Sequence, residues 1–376
     1  MKFSCDSSTL QKGISIVEKA ISPRTSLPVL ENIFLELKEG QLKLRGNDLE
    51  IGIENIVPVS GSGDDGSILI KARTISSIIS KLQNQALNFE VGTDNKMIIK
   101  AEKVDFDILC TQSEDYPVFP SVEQGTKLQV PIGALKDLIK HTIFSVSFDE
   151  TKQFLNGILI KNESGKLVFV TTDGYRLSLK KHETSIPEEA FSVIVPYKAM
   201  NELNKIIGHI EEDKVVAITI SENQISFSIG DFLLVSRVIK GQFPDYNQVL
   251  PKELEFSYSI PRKVFVDAAE RASIIASASN NVVRLSFDEG TIVLRASAPS
   301  LGEFREEMDV TKSRGEGEVK IAFNVKLILD AVKILESDDV TLEFNSGLSP
   351  CVIRSRSDVD FTYIIMPIRT SDYSEN

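Results

Sequence analysis

No tryptophan occurs in the 376 residues, and cysteine and histidine occur only three times each. These scarcities exclude several classes of protein. Cys5, Cys110 and Cys351 are odd in number and far apart, so a disulfide framework is excluded and reduced, buried thiols in a cytoplasmic chain are expected. His141, His182 and His209 stand apart from one another and from every cysteine, none at metal-ligand spacing, and no His-Glu-x-x-His occurs. No metal and no cofactor is therefore expected. No apolar run approaches the roughly 18 residues needed to cross a bilayer, which argues against a membrane protein. Met1-Lys2-Phe3-Ser4-Cys5-Asp6 has no apolar stretch after its lysine, so no secretory leader is expected. Gly61-Ser62-Gly63-Asp64-Asp65-Gly66 matches G-x-G-x-x-G formally, but it lies between two strand-like runs instead of opening a helix, and reads as a turn. Asp173 beside Thr171 and Thr172 has no neighbouring base or metal motif and also reads as a turn. The motif search points to no enzyme.

What the chain does have is a repeat. Gly165-Lys166-Leu167-Val168-Phe169-Val170 carries an apolar run suited to a strand covered on both faces, and Asp173-Gly174 then turns the chain. The same pattern stands 125 residues earlier at Gly40-Gln41-Leu42-Lys43-Leu44-Arg45 and 125 later at Gly290-Thr291-Ile292-Val293-Leu294-Arg295. Asp105-Phe106 recurs as Asp231-Phe232 and Asp360-Phe361, Ile70 as Val195 and Ile321, and Leu10 as Leu135 and Phe265. Landmarks in register at this spacing define three tandem copies of one domain, with boundaries expected at 1–125, 126–252 and 253–376. With 42% hydrophobic and 26% charged residues, each copy can bury its own core.

Each copy opens with an alternating strand (Lys2–Cys5, Lys127–Val130, Glu255–Ile260) and an amphipathic helix; Ser7, Ser8 or Thr9 would cap the first, while Pro131 and Pro261 start the others. Strands follow at 32–37, 41–44, 51–59 and 67–70 in the first copy, then a helix over 73–82 with counterparts at 197–207 and 324–336, and closing strands at 86–91, 97–101 and 105–111. The fold class is α+β: β-rich domains with two helices and roughly eight strands each, joined by linkers at 115–130 and 242–255.

A net charge of −12 argues against a nucleic-acid binder only if taken whole. The six expected helices hold thirteen Lys or Arg against seven Asp or Glu, a net of +6 that leaves −18 for everything else. If those helices share one surface, it can hold DNA through phosphate contacts that carry no sequence information.

Leu155-Asn156-Gly157, Thr172-Asp173-Gly174-Tyr175-Arg176-Leu177, Phe243-Pro244-Asp245-Tyr246 and the end Tyr363-Ile364-Ile365-Met366-Pro367-Ile368-Arg369, with Arg24 and Leu27-Pro28-Val29-Leu30, closely resemble the bacterial DNA polymerase III beta subunit, the sliding clamps. The likeness runs from Met1 to Arg369. It implies a homodimer closed head-to-tail into a six-domain ring, helices lining the hole and sheets outside. It implies sequence-independent binding of double-stranded DNA, with Arg24, Arg73, Lys136, Lys140, Lys198 and Lys205 facing it. Phe106 and Ile108 would meet the partner's Ile274 and Ile275, and Glu303, Glu306 and Glu307 would face basic residues such as Lys100 or Lys103. The clamp loader and DNA polymerases would dock through short peptide motifs in a pocket of Leu155, Thr172, Gly174, Tyr175, Arg176, Leu177, Pro244, Val249, Ile364 and Met366. A shallower groove would comprise Phe154, Leu348, Pro350, Pro367, Ile368 and Arg369. Tyr175 stands where many clamps have histidine, and Asp149 and Glu150 occupy a loop that approaches DNA in relatives. The function implied is a non-enzymatic processivity factor; the alternative is a repeat-built scaffold that binds proteins and no nucleic acid.

Overall fold

The computed structural model describes residues 1–22, 25–61, 63–92, 94–184 and 190–370. The first repeat runs β1 (Lys2–Asp6), α1 (Ser7–Val17), β2 (Asn32–Lys38), β3 (Gln41–Asn47), β4 (Ile51–Pro58), β5 (Gly66–Lys71), α2 (Ala72–Lys81), β6 (Ala86–Val91), β7 (Lys96–Lys100) and β8 (Asp105–Leu109). The second runs β9 (Thr126–Pro131), α3 (Ile132–Lys140), β10 (Gly157–Glu163), β11 (Lys166–Thr172), β12 (Arg176–Glu183), β13 (Ser192–Pro196), α4 (Tyr197–Ile207), β14 (Val215–Ile220), β15 (Gln224–Ile229) and β16 (Phe232–Arg237). The third runs β17 (Phe256–Pro261), α5 (Arg262–Ala276), β18 (Val282–Phe287), β19 (Thr291–Ala298), β20 (Gly302–Asp309), β21 (Thr311–Arg314), β22 (Val319–Asn324), α6 (Val325–Ile334), β23 (Asp339–Phe344), β24 (Cys351–Arg354) and β25 (Phe361–Ile365).

Periodicity accounts for these elements. Leu10, Ile14 and Val17 of α1, Leu135, Leu138 and Ile139 of α3 and Phe265, Ala268, Ala269 and Ala272 of α5 all lie in the core. Leu167 to Val170 of β11 are fully buried, as a strand covered on both faces should be. The repeated glycine closes a two-residue hairpin turn in two copies: Glu39 and Gly40 have φ of 51° and 77°, Ser164 and Gly165 of 53° and 79°. In the third copy the turn is longer, Asp288 donating its N–H to the Thr291 carbonyl, so Gly290 does not need a positive φ. Two expectations shift. The cap of α1 is Asp6, whose carboxylate accepts from the Ser8 and Thr9 N–H at 3.0 and 3.1 Å and lies below its ordinary pKa through its bonds to Ser8 and Thr9. The first linker is shorter than 115–130, because Thr126 already pairs in β9.

By contacts the chain falls into two compact units. One comprises Met1–Gly133 and Lys198–Val238; it contains a four-stranded sheet β1-β6-β7-β8 and an eight-stranded sheet β5-β2-β3-β4-β16-β15-β14-β9. The other comprises Ala134–Tyr197 and Ile239–Asn376; it contains a nine-stranded sheet β13-β10-β11-β12-β25-β24-β23-β17-β21 and a four-stranded sheet β20-β19-β18-β22. The middle repeat is therefore divided. It gives one sheet to each unit, through the β4–β16 ladder and the β12–β25 ladder.

In the second unit a charge cluster reinforces that join. Lys180 of β12, almost fully buried, reaches Asp358 at 2.5 Å and Asp137 of α3 at 3.0 Å, while the His141 Nδ1 lies 2.9 Å from Asp137. Burial alone would raise the Asp137 pKa, but His141 and Lys180 hold the carboxyl down, to about 2. A carboxyl depressed in the folded state stabilises the fold above its ordinary pKa of 3.8, and that contribution fades as pH falls towards about 2. Melting temperatures of wild type and Asp137→Asn should therefore differ most above pH 4 and converge on acidification. A gap that widens below pH 4 would contradict this.

Candidate functional site

Beside the β12–β25 ladder lies a cavity of about 200 Å³ lined by Leu155, Thr172, Gly174, Arg176, Leu177, Phe243, Pro244, Asp245, Tyr246, Val249, Ile364 and Met366. The ladder explains how residues so far apart in sequence meet. Leu177 pairs with Ile364, Arg176 with Ile365, and the Met366 N–H donates to the Tyr175 carbonyl at 2.8 Å. Asp173 sets the turn at one end, its carboxylate accepting from the Tyr175 and Arg176 N–H groups at 2.9 and 3.0 Å. Gly174 sits there at φ 91°, a conformation that side-chain-bearing residues rarely adopt.

Arg176 forms the polar wall. It donates to Asp173 at 3.0 Å, to Asp330 at 2.5 Å and to the Phe144 carbonyl at 2.6 Å, and its guanidinium lies over the Phe144 ring. So fully engaged a cation is a rigid piece of wall instead of a free charge. The apolar floor is a buried cluster of Leu155, Leu159, Val168, Val170, Leu177, Leu179 and Ile364, closed by Phe243 and Tyr246 of the following linker. Tyr246 donates its hydroxyl to Glu163 at 2.7 Å, and the Lys161 ammonium lies 4.8 Å from its ring. Burial and the bond to Glu163 push the phenol pKa up, so it stays a donor at neutral pH.

Every residue expected in this pocket except Tyr175 lines it; Tyr175 is 70% exposed and stands outside the lining. Phe243, Asp245 and Tyr246 went unassigned, although they flank Pro244 in the same Phe-Pro-Asp-Tyr motif. Of the shallower groove, Phe154 packs on the same apolar floor, Leu348 and Arg369 are exposed, and Pro350, Pro367 and Ile368 are half-buried. The Ile368 N–H donates to the Ala322 carbonyl at 2.7 Å.

The cationic residues divide between the units. Arg73 is exposed in the first turn of α2; Lys198 of α4 pairs with Asp48, and Lys205 with Glu202 at 2.7 Å. In the other unit Lys136 is half-buried and Lys140 of α3 pairs with Glu336 at 2.6 Å. Arg24 lies outside the described residues. With the observed boundaries each of the six helices carries a net positive charge. Asp149, on the loop expected to approach DNA, caps the next turn by accepting from the Thr151 N–H at 3.0 Å.

The residues expected at the interface lie on or near two sheet edges. β8 ends the first four-stranded sheet, with Ile108 buried, Phe106 half-buried and Asp105, Asp107 and Leu109 exposed. β20 ends the last; near it Ile274 is 66% exposed and Ile275 packs partly on the core. The acidic residues have partners within their own chain: Glu306 takes a two-pronged bond from Arg271 at 2.5 and 2.9 Å and Glu307 pairs with Arg305 at 2.9 Å, whereas Glu303 is exposed. Among the described residues no cluster of three or more His, Cys, Asp or Glu could hold a metal ion. Burial pushes the thiols of Cys5 and Cys110 up to about 11 and that of Cys351 higher still, which leaves them unreactive.

The three repeats match, in order, the N-terminal, central and C-terminal domains of the DNA polymerase III beta subunit, over residues 1–120, 129–245 and 247–369. A beta sliding clamp of Staphylococcus aureus is 34% identical over 360 residues, covering 94% of this chain and 95% of that protein. The chain belongs to the DNA polymerase III beta subunit family. The beta sliding clamp of Bacillus subtilis is 32% identical over 98% of this chain and 100% of its own length. Among solved structures, the sliding clamp of Bacillus subtilis superposes with a TM-score of 0.92 at 32% identity, covering 98% of this chain and 99% of that one. The DNA polymerase III subunit beta of Pseudomonas aeruginosa does so with 0.93 at 27%, covering 98% and 100%. The fold is thus the three-domain clamp fold, and the function that of a DNA sliding clamp, not of a scaffold restricted to proteins.

In this clamp the Tyr246 hydroxyl holds the pocket floor in place. Tyr246→Phe should lower stability by about 1 kcal/mol, the value of one such hydrogen bond, measured as the shift in urea midpoint. An unchanged midpoint would remove Glu163 from the architecture of the pocket.

Proposed function

We propose that two copies of this chain close head-to-tail into a ring around duplex DNA, with domains at 1–125, 126–252 and 253–376, and that partner proteins insert short peptides into the cavity by Met366. The observation that supports the closure best is the apolar surface at two of the sheet edges, where Leu109 and Ile274 are exposed. β8 presents Phe106 and Ile108, β20 lies beside Ile274 and Ile275, and an edge of this kind is stable in water only when paired or protected. A head-to-tail contact of unlike edges makes a closed ring when its rotation closes.

The ring performs no reaction and works in the cytoplasm. No described helix is long and apolar enough to cross a membrane. Arg73, Lys136, Lys140, Lys198 and Lys205 face the hole and touch phosphates without reading bases. Retention is topological: a threaded duplex cannot leave by local dissociation, and a tethered polymerase sees a high local concentration of primer ends. The peptide site supports that reading, with an apolar floor, one fully bonded arginine in the wall and a Met366 that is 40% exposed at the mouth. The clamp loader and DNA polymerases are the partners expected there.

Loaded clamp should stay on a nicked circle and be lost when that circle is cut. Arg73→Glu, Lys140→Glu and Lys205→Glu together should shorten the lifetime on the circle without changing the dimer mass. Equal retention on linear and circular DNA would refute the ring, and an unchanged lifetime in the triple variant would refute the lining. Met366→Glu should weaken capture of a polymerase-derived peptide at least tenfold and leave retention on circles intact. Undiminished capture would move the peptide site elsewhere.

A further inference from the structure

The threefold repeat allows one sheet position to be compared with itself. In the first copy the cross-strand triplet is Phe34, Arg45 and Glu54, in the second Leu159, Val170 and Leu179, and in the third Arg284, Arg295 and Arg305. The first is charge-balanced: Arg45 donates to Glu54 at 2.6 Å, and the following linker covers it, with the Phe119 ring 5.2 Å from the guanidinium. The second is wholly apolar and lies buried beneath Phe243 and Tyr246 of the next linker. In both, aromatic residues of the following linker pack at this position.

The third has three like charges in register across β18, β19 and β20, in a chain of net charge −12. Like charges directly opposite one another destabilise a sheet. Instead of an apolar floor there is a cleft of about 390 Å³, lined by the three arginines together with Lys320, Ser297 and Glu303. Guanidinium groups spaced by a strand separation suit carboxylates, which they bind in pairs of parallel hydrogen bonds.

We propose that this cleft, on the four-stranded sheet of the third domain, is a second docking site, and that its occupant is an extended acidic segment of a partner protein. A linker segment is what the other two copies place at this position, and acidic side chains are what the arginine row would bind. Glu303, Glu307 beside Arg305 and Glu318 beside Lys320 flank the cleft and confine its positive charge to the arginine row. The site is separate from the cavity by Met366, and the proposal does not rest on ring closure.

The test uses full-length protein and a fluorescein-labelled decapeptide of alternating glutamate and serine, read by anisotropy. Arg295→Gln and Arg305→Gln should each weaken binding roughly tenfold, as the loss of a charge-assisted pair implies, and Lys38→Ala, elsewhere on the surface, should not. Arg295→Gln should also melt higher than wild type without peptide, because it relieves the repulsion. Peptide binding that ignores Arg295→Gln, or a fall in its melting temperature, would overturn the proposal. So would equal affinity for tripolyphosphate or an oligothymidylate. A tenfold gain on ending the chain after Thr370 would assign the cleft to residues 371–376 instead and sink the partner reading.

Discussion

Hydrogen bonding at strand edges is the constraint on which the rest of this protein depends. A β-rich repeat of this size ends in rows of unpaired N–H and C=O groups, and each row has to be paired or shielded. The middle repeat meets the requirement by giving β16 to β4 and β12 to β25, so that two sheets run across repeat boundaries. The two four-stranded sheets end at β8 and β20 on one side and at β1 and β22 on the other. The proposed closure with a second copy would answer the same requirement at β8 and β20.

The cavity by Met366 is a by-product of one of those joins. Pairing β12 with β25 sets Leu177 beside Ile364 and lays the linker carrying Phe243 and Tyr246 over the seam. Because β12 and β25 belong to different repeats, no single domain contains the pocket. Its walls are fixed by polar bonds: Arg176 holds Asp173, Asp330 and the Phe144 carbonyl, and Tyr246 holds Glu163. A rigid frame around an apolar floor spares a peptide ligand part of the ordering cost of binding. Met366, at the mouth, supplies adaptability for ligands of different shape.

Much of this was legible because repeats leave periodic marks. Gly40 and Gly165 were detectable as turn residues, and Asp105, Asp231 and Asp360 as residues just before or at the start of a strand. Other features lie beyond periodicity. Asp6 caps α1 although three hydroxyl residues follow it, because its carboxylate reaches two N–H groups at once. Phe243 and Tyr246 read as linker residues, since nothing local reveals the sheet beneath them. Likewise composition showed basic helices but not the carboxylates that pair with Lys140, Lys198 and Lys205, one of them 196 positions away in the chain.

Those pairings bear on how a clamp slides. A bare lysine row on a phosphate backbone would gain affinity with every counterion released. Here Lys140 faces Glu336, Lys205 faces Glu202 and Lys198 faces Asp48, so in the proposed ring a phosphate would compete with a carboxylate already in place. Ion pairs at partly exposed positions are worth about 0–1 kcal/mol, so exchanging one anion for another there nearly balances. In the proposed ring, many such near-neutral exchanges would leave the duplex attracted to the surface but free to move along it. In the proposed ring that is sufficient, because an enclosed duplex would be retained by topology and would not need tight contacts.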